Sequence, residues 1–114
     1  MNIDHKAMPD PLLRFDVATN RFVLIEDYVT PEITVPKGEY TDGATIPQLA
    51  SMLVKQFDRH LPACIVHDYM YRNAIVSKAY ADDVFHRNLL RCGINVATAE
   101  VMYRAVQAFG KGSY

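Results

Sequence analysis

The pattern of apolar residues changes near Pro47, and this change limits what the chain can fold into. Before Pro47, short β-branched and aromatic runs such as residues 21–25 are separated by turn residues, which predicts strands. After Pro47, apolar residues recur every three or four positions, which predicts amphipathic helices. The sequence therefore predicts an α+β fold, with a small antiparallel β-sheet in the N-terminal half followed by three to four helices that have an antiparallel helix-pair core.

The individual elements follow from local signals. Residues 12–15 and 21–25 flank a turn at 16–20 and predict a hairpin, and proline punctuates two further short strands at 28–30 and 33–35. A proline, a cap residue or a glycine marks the helix ends. The predicted helices run from Pro47 to about Phe57, from Pro62 to about Asn73, from Ser77 to Arg91, and from Asn95 or Thr98 to Gly110. The tail at 111–114 is predicted to be loose.

Length and charge narrow the class of protein. The 114 residues suit one domain, and we expect a flexible arm at 1–11 and a single α+β domain at 12–114. The net charge of -1 gives no basic face for nucleic acid. No apolar run is long enough for a transmembrane segment, and the N-terminus lacks the apolar core of a signal peptide. Cys64 and Cys92 are expected to be buried thiols, with a bridge between them as the alternative.

The second and third predicted helices bring chemically useful side chains together. His67 and Tyr71 share an apolar face of the second helix, and Asp82 lies on the inward face of the third, whereas Asp83 is expected to point outward and pair with Arg87. Since the connection is short, the two helices should pack antiparallel and place His67 near Asp82. A carboxylate that holds one imidazole nitrogen leaves the other free to take a proton from water. The pair is either a general-base dyad or a structural pair in the core.

Neighbouring residues could support such a site. Asp68 could hold a cation or pair with Arg72, and Asp42, Gly43 and Thr45 form a loop that is either a turn with a helix cap or a wall of the site. The tyrosines are expected to be core residues, with support of the dyad as the alternative; they are Tyr69, Tyr71, Tyr80 and Tyr103.

Three further arrangements are open at this stage. His60 could join His67, Asp68 and Asp82 in a metal phosphohydrolase site. Cys64 lies three residues before His67 and could be a nucleophile. His86 follows Asp82 by one helical turn and could compete with His67 for it.

Four ordered motifs carry a family resemblance over roughly residues 12–110. They are residues 41–47, 63–72, 81–85 and 102–110. Together they resemble a domain-of-unknown-function family that is widespread in tailed bacteriophages and prophages. The resemblance implies a viral origin, with the protein in the host cytoplasm during infection or in the virion, and with other phage proteins or a host envelope component as partners.

The helix pair also resembles, more distantly, that of secreted phospholipases of the A-two type. The similarity lies in Cys64, His67, Asp68, Tyr71 and Asp82. It implies that His67 is the general base, that Asp82 orients it, and that Asp68 binds calcium with help from the loop at Asp42 and Gly43. The supporting set would be Tyr69, Tyr71, Arg72 and Thr45. The loop has a single glycine, the disulfides of those enzymes are missing, and the spacing from His67 to Asp82 is short for them.

Two classes of function are consistent with these features. The first is a small phage-encoded hydrolase with a His-Asp general-base dyad, which cleaves an ester or a related bond in lipid or the cell envelope. The second is a non-enzymatic virion, tail or accessory protein, or a host-directed inhibitor, that uses the same helix pair as a scaffold.

Overall fold

The computed structural model describes residues 7–41 and 59–114. Within them the chain forms a small antiparallel sheet followed by helices, which is the α+β fold that the sequence predicts. The strands are β1 (Leu13–Asp16), β2 (Arg21–Leu24), β3 (Tyr28–Val29), β4 (Thr34–Val35) and β5 (Tyr40–Thr41). The helices are α1 (Leu61–Asn73), α2 (Lys78–Arg91) and α3 (Val96–Phe109). The helix predicted from Pro47 lies outside the described residues.

The sheet begins with the predicted hairpin. β1 pairs with β2 in the register Leu13 to Leu24, and β2 pairs on its other side with β5, so the strand order is β1-β2-β5. Asn20 closes the hairpin turn with a φ of 58°, a left-handed conformation that asparagine tolerates better than most residues. Strands β3 and β4 form a separate two-stranded sheet.

Local signals fix the helix ends. Pro62 lies in the first turn of α1, where its missing N–H is not needed. The side chains of Ser77 and Asn95 accept hydrogen bonds from the backbone N–H of Tyr80 and Thr98, so they cap α2 and α3. Asn95 rather than Thr98 is therefore the start of the last helix.

The three described helices pack in sequence, α1 on α2 and α2 on α3. Near the start of α1, Cys64 shares an apolar cluster with Leu89 near the end of α2, and towards the other end of α1 Tyr71 donates a hydrogen bond to Asp82 near the start of α2. These contacts make the α1–α2 pair antiparallel, as the short connection predicts. Of the helices in the described ranges, none is long and apolar enough to cross a membrane.

Helix α1 lies between two apolar clusters. One face packs on the sheets, with Ile65, Val66 and Met70 in the same apolar cluster as Leu24 and Val35. The opposite face packs on the other helices, with Cys64 against Phe85, Leu89, Met102 and Val106. With both faces covered, the histidine in the middle of the helix is buried.

Both ends of the described chain contact the domain. Met8 is buried and Tyr28 donates a hydrogen bond to the Pro9 carbonyl, so the described end of the predicted arm is packed. The tail is ordered as well: the Ser113 N–H donates to the Tyr71 carbonyl at 3.0 Å. The prediction of a loose tail at 111–114 is therefore wrong, because the exposed end of α1 offers it hydrogen-bond acceptors.

Candidate functional site: a buried His–Asp pair

His67 lies in the middle of α1 and is 1 % exposed. Its Nε2 lies 2.9 Å from Oδ1 of Asp82, which is 1 % exposed and lies in the second turn of α2. The imidazole stacks on Phe85, with ring centroids 4.4 Å apart, and touches the Tyr71 ring at 4.0 Å. The predicted contact between His67 and Asp82 is therefore present, and aromatic rings hold the imidazole in place.

Asp82 has two other partners besides His67. The Tyr71 hydroxyl donates to Oδ1, and Lys78 Nζ donates to Oδ2 at 2.9 Å. Burial raises the pKa of Asp82, but the hydrogen bonds from His67, Tyr71 and Lys78 outweigh it and hold the pKa below its ordinary value. Asp82 is therefore a carboxylate at neutral pH, with its charge balanced by Lys78.

The protonation state of His67 follows from its surroundings. Burial lowers the pKa of His67, and the hydrogen bond to Asp82 only partly offsets that effect. The ring is therefore neutral at pH 7. Because Asp82 can only accept, the proton of the neutral ring lies on Nε2, and Nδ1 carries the lone pair. Within residues 7–41 and 59–114, Nδ1 is buried and has no hydrogen-bond partner.

The Nδ1 of His67, unpartnered within the described residues, lowers the stability of the fold. A buried acceptor without a hydrogen bond destabilises a fold by roughly 1–3 kcal/mol. Such groups in folded proteins call for an explanation, and one explanation is a catalytic role. The pair thus offers a base whose lone pair is free within the described part of the chain and whose other nitrogen is fixed by a carboxylate.

Asp68 lies beside this pair and points to the sheet. It is half-buried and accepts a hydrogen bond from the Thr41 hydroxyl at the end of β5. Arg72, its predicted partner, donates instead to Glu39 at 2.9 Å and to the Tyr40 carbonyl at 2.8 Å. The sheet therefore competes successfully for Arg72, which also stacks over the Tyr40 ring at 3.9 Å.

The structure describes only part of the predicted calcium site. Asp42, Gly43 and Thr45 lie outside the described residues. In the described ranges, no group of three or more histidine, cysteine or acidic side chains could hold a metal. Asp68 and the Thr41 hydroxyl alone do not fit calcium, which takes about six to eight oxygen ligands.

Other predicted contacts on α2 differ in the structure. Asp83 does point outward, but it accepts a hydrogen bond from Tyr103 of α3 at 2.6 Å, and Arg87 bonds to Glu32 at 3.2 Å. His86 does not compete with His67 for Asp82: its ring stacks on Tyr103, and its Nε2 lies 3.6 Å from Glu100. In both cases α3 or the β3–β4 loop supplies a partner that helical spacing alone does not reveal.

The tyrosines divide into distinct roles. Tyr71 is buried, as expected of a core residue, and it also contacts the dyad. Tyr69 is half-buried and packs against the sheet-side cluster. The expectation is wrong for Tyr80, which is 42 % exposed, and Tyr103 is only partly buried on the surface between α2 and α3.

The sequence prediction missed Lys78 as a partner of Asp82. Lys78 precedes Asp82 by one helical turn, so the i,i+4 spacing was a usable signal. It also missed the contact of the tail with Tyr71, which Ser113 makes from a position 42 residues later in the sequence. Cys64 is fully buried between helices, and neither it nor Cys92 is in a disulfide. His60 is buried and belongs to no metal-binding group among the described residues.

Comparison with known proteins gives a family. No curated protein and no solved structure matches the chain. The model of a family described as "Protein of unknown function (DUF1353)" matches residues 19–106. This range covers most of the chain. It includes strands β2 to β5, helices α1 and α2, and all of α3 except its last residues. The chain therefore belongs to the DUF1353 family of proteins of unknown function.

Proposed function

We propose that this protein is a hydrolase in which His67 is the general base and Asp82 orients it. The observation that carries the proposal is the difference between the two ring nitrogens. Nε2 is held by Asp82 at 2.9 Å, while Nδ1 is buried and has no partner within the described residues. If the only role of His67 were to form a hydrogen bond with a buried acid, an unpartnered Nδ1 would add nothing to the stability of the fold.

The proposed chemical step is proton removal from a water molecule. The Nδ1 lone pair takes the proton as the water oxygen attacks the carbonyl carbon of the ester, whose π electrons move onto the carbonyl oxygen, and the positive charge that develops on the ring lies beside the Asp82 carboxylate. When the tetrahedral intermediate collapses, the bond to the alcohol oxygen breaks, and the departing alcohol takes the proton back from Nδ1. General-base catalysis of this kind contributes about 100-fold to 10,000-fold. Because His67 is 1 % exposed, the site must open before water and substrate reach Nδ1.

The substrate class comes from the resemblance of the helix pair to the secreted phospholipases. We propose an ester in a lipid or in the cell envelope, cleaved by a phage-encoded protein that acts in the host cytoplasm or from the virion. Calcium, if it takes part, would use Asp68 with Asp42 and Gly43. Since the described residues do not complete such a site, no step of the proposed mechanism passes through calcium.

The test is turnover by the full-length protein. Purified protein is incubated with short-chain chromogenic esters and with phospholipid vesicles, each with calcium or with a chelator. We expect hydrolysis by the wild type and at least about a 100-fold loss in His67→Asn. His86→Asn is the matched control, because His86 lies on the helix surface beside Glu100, and it should keep full activity. Equal rates in His67→Asn and the wild type would disprove the proposal.

A non-enzymatic phage structural or accessory protein is the second candidate. The complete burial of His67 and the closed network of Tyr71, Lys78 and Asp82 favour it, because both features suit a core that only needs to be rigid. Under this candidate, His67→Ala lowers the melting temperature and affects any binding only through stability. Under the hydrolase proposal, His67→Asn loses turnover while the protein stays folded.

A further inference from the structure

The C-terminal tail, residues 110–114, completes the end of α1. The last four carbonyls of a helix have no partner within it. In α1, three of these four are bonded by the tail: Ser113 N–H donates to Tyr71 at 3.0 Å, Ser113 Oγ to Arg72 at 2.7 Å, and the Tyr114 hydroxyl to Met70 at 3.2 Å. The tail therefore has defined contacts on the helix that carries His67.

The same tail fits closely around the side chain of Tyr71. The Tyr114 ring meets the Tyr71 ring edge to face, with centroids 5.1 Å apart. A Cβ added at Gly110 would lie 2.6 Å from the Tyr71 hydroxyl, and one at Gly112 would lie 2.8 Å from Tyr71 Cβ. Only glycine fits at these two positions without a shift of the tyrosine or of the chain. The tail thus restricts where the Tyr71 hydroxyl can lie.

The hydroxyl that the tail restricts is a partner of the dyad. Tyr71 donates to Oδ1 of Asp82, the same oxygen that holds His67 Nε2. The adjoining end of α3 holds the other donor, since Lys78 Nζ donates to the carbonyls of Val106 and Gln107 at 3.0 and 3.1 Å. Both donors that accompany His67 on Asp82 are therefore held by the C-terminal segment of the chain.

We propose that the tail is a positioning element for the His67–Asp82 pair, acting through Tyr71. Its packing sets the place of the Tyr71 hydroxyl, which sets the orientation of the Asp82 carboxylate and hence that of the imidazole. Its effect on turnover rests on the proposed function above, whereas its effect on the geometry of the pair does not. Gly110 and Tyr114 are positioning residues in this proposal, because they act on the pair through their contacts with Tyr71.

Two variants and two matched controls test the tail. Tyr114→Ala removes an exposed tyrosine that contacts Tyr71, and Tyr80→Ala removes one of equal exposure at the start of α2; the two side chains are 43 % and 42 % exposed. Gly110→Ala crowds the Tyr71 hydroxyl and the Val106 carbonyl, each 2.6 Å from the added Cβ. Gly93→Ala adds the same methyl group just after α2, 3.8 Å from the nearest atom, on Arg59. Because Gly93 has a φ of 84°, alanine there strains the backbone, so this variant controls for a loss of stability that does not crowd Tyr71. Circular dichroism establishes that each variant is folded.

The first readout does not depend on activity. Nitrogen-15 NMR of the full-length protein at pH 7 reports the tautomer and the hydrogen bonding of the His67 ring. We expect Tyr114→Ala and Gly110→Ala to shift the Nε2 resonance or mix the tautomers, and Tyr80→Ala and Gly93→Ala to keep the wild-type spectrum of this ring. Wild-type ring resonances in Tyr114→Ala would overturn the proposal. The Tyr114 residue is 43 % exposed, so this variant should fold.

The second readout uses turnover. If the wild type hydrolyses an ester, kcat should fall by at least about tenfold in Tyr114→Ala with KM unchanged, because a small misplacement of the base affects the chemical step. An unchanged kcat would contradict a positioning role. If the wild type hydrolyses nothing, the proposed function fails, but the ring resonances still decide whether the tail orients the pair.

Discussion

Lys78 lies one helical turn before Asp82, and its ammonium group lies 2.9 Å from Oδ2 of that buried carboxylate. The same ammonium donates to two carbonyls at the end of α3. One side chain therefore neutralises the acid of the pair and ties the last helix to it. A buried carboxylate that loses such a partner is left with an uncompensated charge.

Replacement of Lys78 by methionine should expose this dependence. The chain keeps its apolar stem but loses the charge and three hydrogen bonds, so we expect the free energy of unfolding to fall by about 1–3 kcal/mol. Urea denaturation measures the change. Lys37→Met is the control, because Lys37 is exposed in the turn before β5. A loss in Lys78→Met no larger than in the control would show that the ion pair does not stabilise the fold.

The adjacent acids Asp82 and Asp83 allow a comparison of identical substitutions. Asp82→Asn removes the charge that Lys78 compensates and puts an amide group where two donors converge on one oxygen. We expect a loss of about 3–5 kcal/mol, typical of a broken buried charge network. Asp83→Asn keeps an acceptor for Tyr103 at the surface and should change little. Equal melting temperatures for the two variants would contradict the inward and outward assignments.

Glu32 makes the stability of the fold depend on pH in the acid range. Burial raises its pKa, but hydrogen bonds and charges from Arg91 and Arg87 outweigh it and hold the pKa below the ordinary value of 4.5. Since the folded pKa is the lower one, Glu32 contributes stability above about pH 4.5, and this contribution is lost as the pH falls through the folded value. It links the β3–β4 loop to the end of α2.

We expect the free energy of unfolding of Glu32→Gln to fall less steeply than that of the wild type as the pH is lowered. At pH 7 this variant should be less stable than the wild type, and the difference should shrink as the pH falls from 5 towards 3. Chemical denaturation at several pH values measures it. Glu26→Gln, which changes an exposed glutamate after β2, should follow the wild-type curve. A gap between Glu32→Gln and the wild type that stays constant below pH 4.5 would rule out this assignment.

The sequence predicts those parts of the fold that depend on neighbouring residues. Ser77 caps the helix that it was expected to cap, and Asn95, one of the two predicted starts of the last helix, caps that helix. The helical phase alone separates an inward Asp82 from an outward Asp83. Cap residues and helical phase act within one turn, so one sequence is enough to recognise them. The contact between His67 and Asp82 follows in the same way, from two phases and one short connection.

Contacts between distant segments could not be predicted. The bonds from Arg91 to Glu32 join residues 59 apart, and the tail reaches Tyr71 across about 40 residues. The predicted pair of Asp83 and Arg87 has suitable spacing, but Tyr103 and Glu32 from other elements bind these side chains instead. Helical spacing shows which side chains could meet, whereas tertiary packing decides which partner each one takes.

The two cysteines provide a test of the redox state expected from the sequence. Cys64 is fully buried, and burial raises the pKa of Cys92 to about 11. At pH 8 little of Cys92 is then the thiolate, the form that reacts with Ellman's reagent. We therefore expect the folded protein to react slowly with the reagent. In guanidinium chloride, both thiols should react immediately. Fewer than two thiols in the unfolded, non-reduced protein would mean that a disulfide forms, which would contradict the reduced state of both cysteines in the structure.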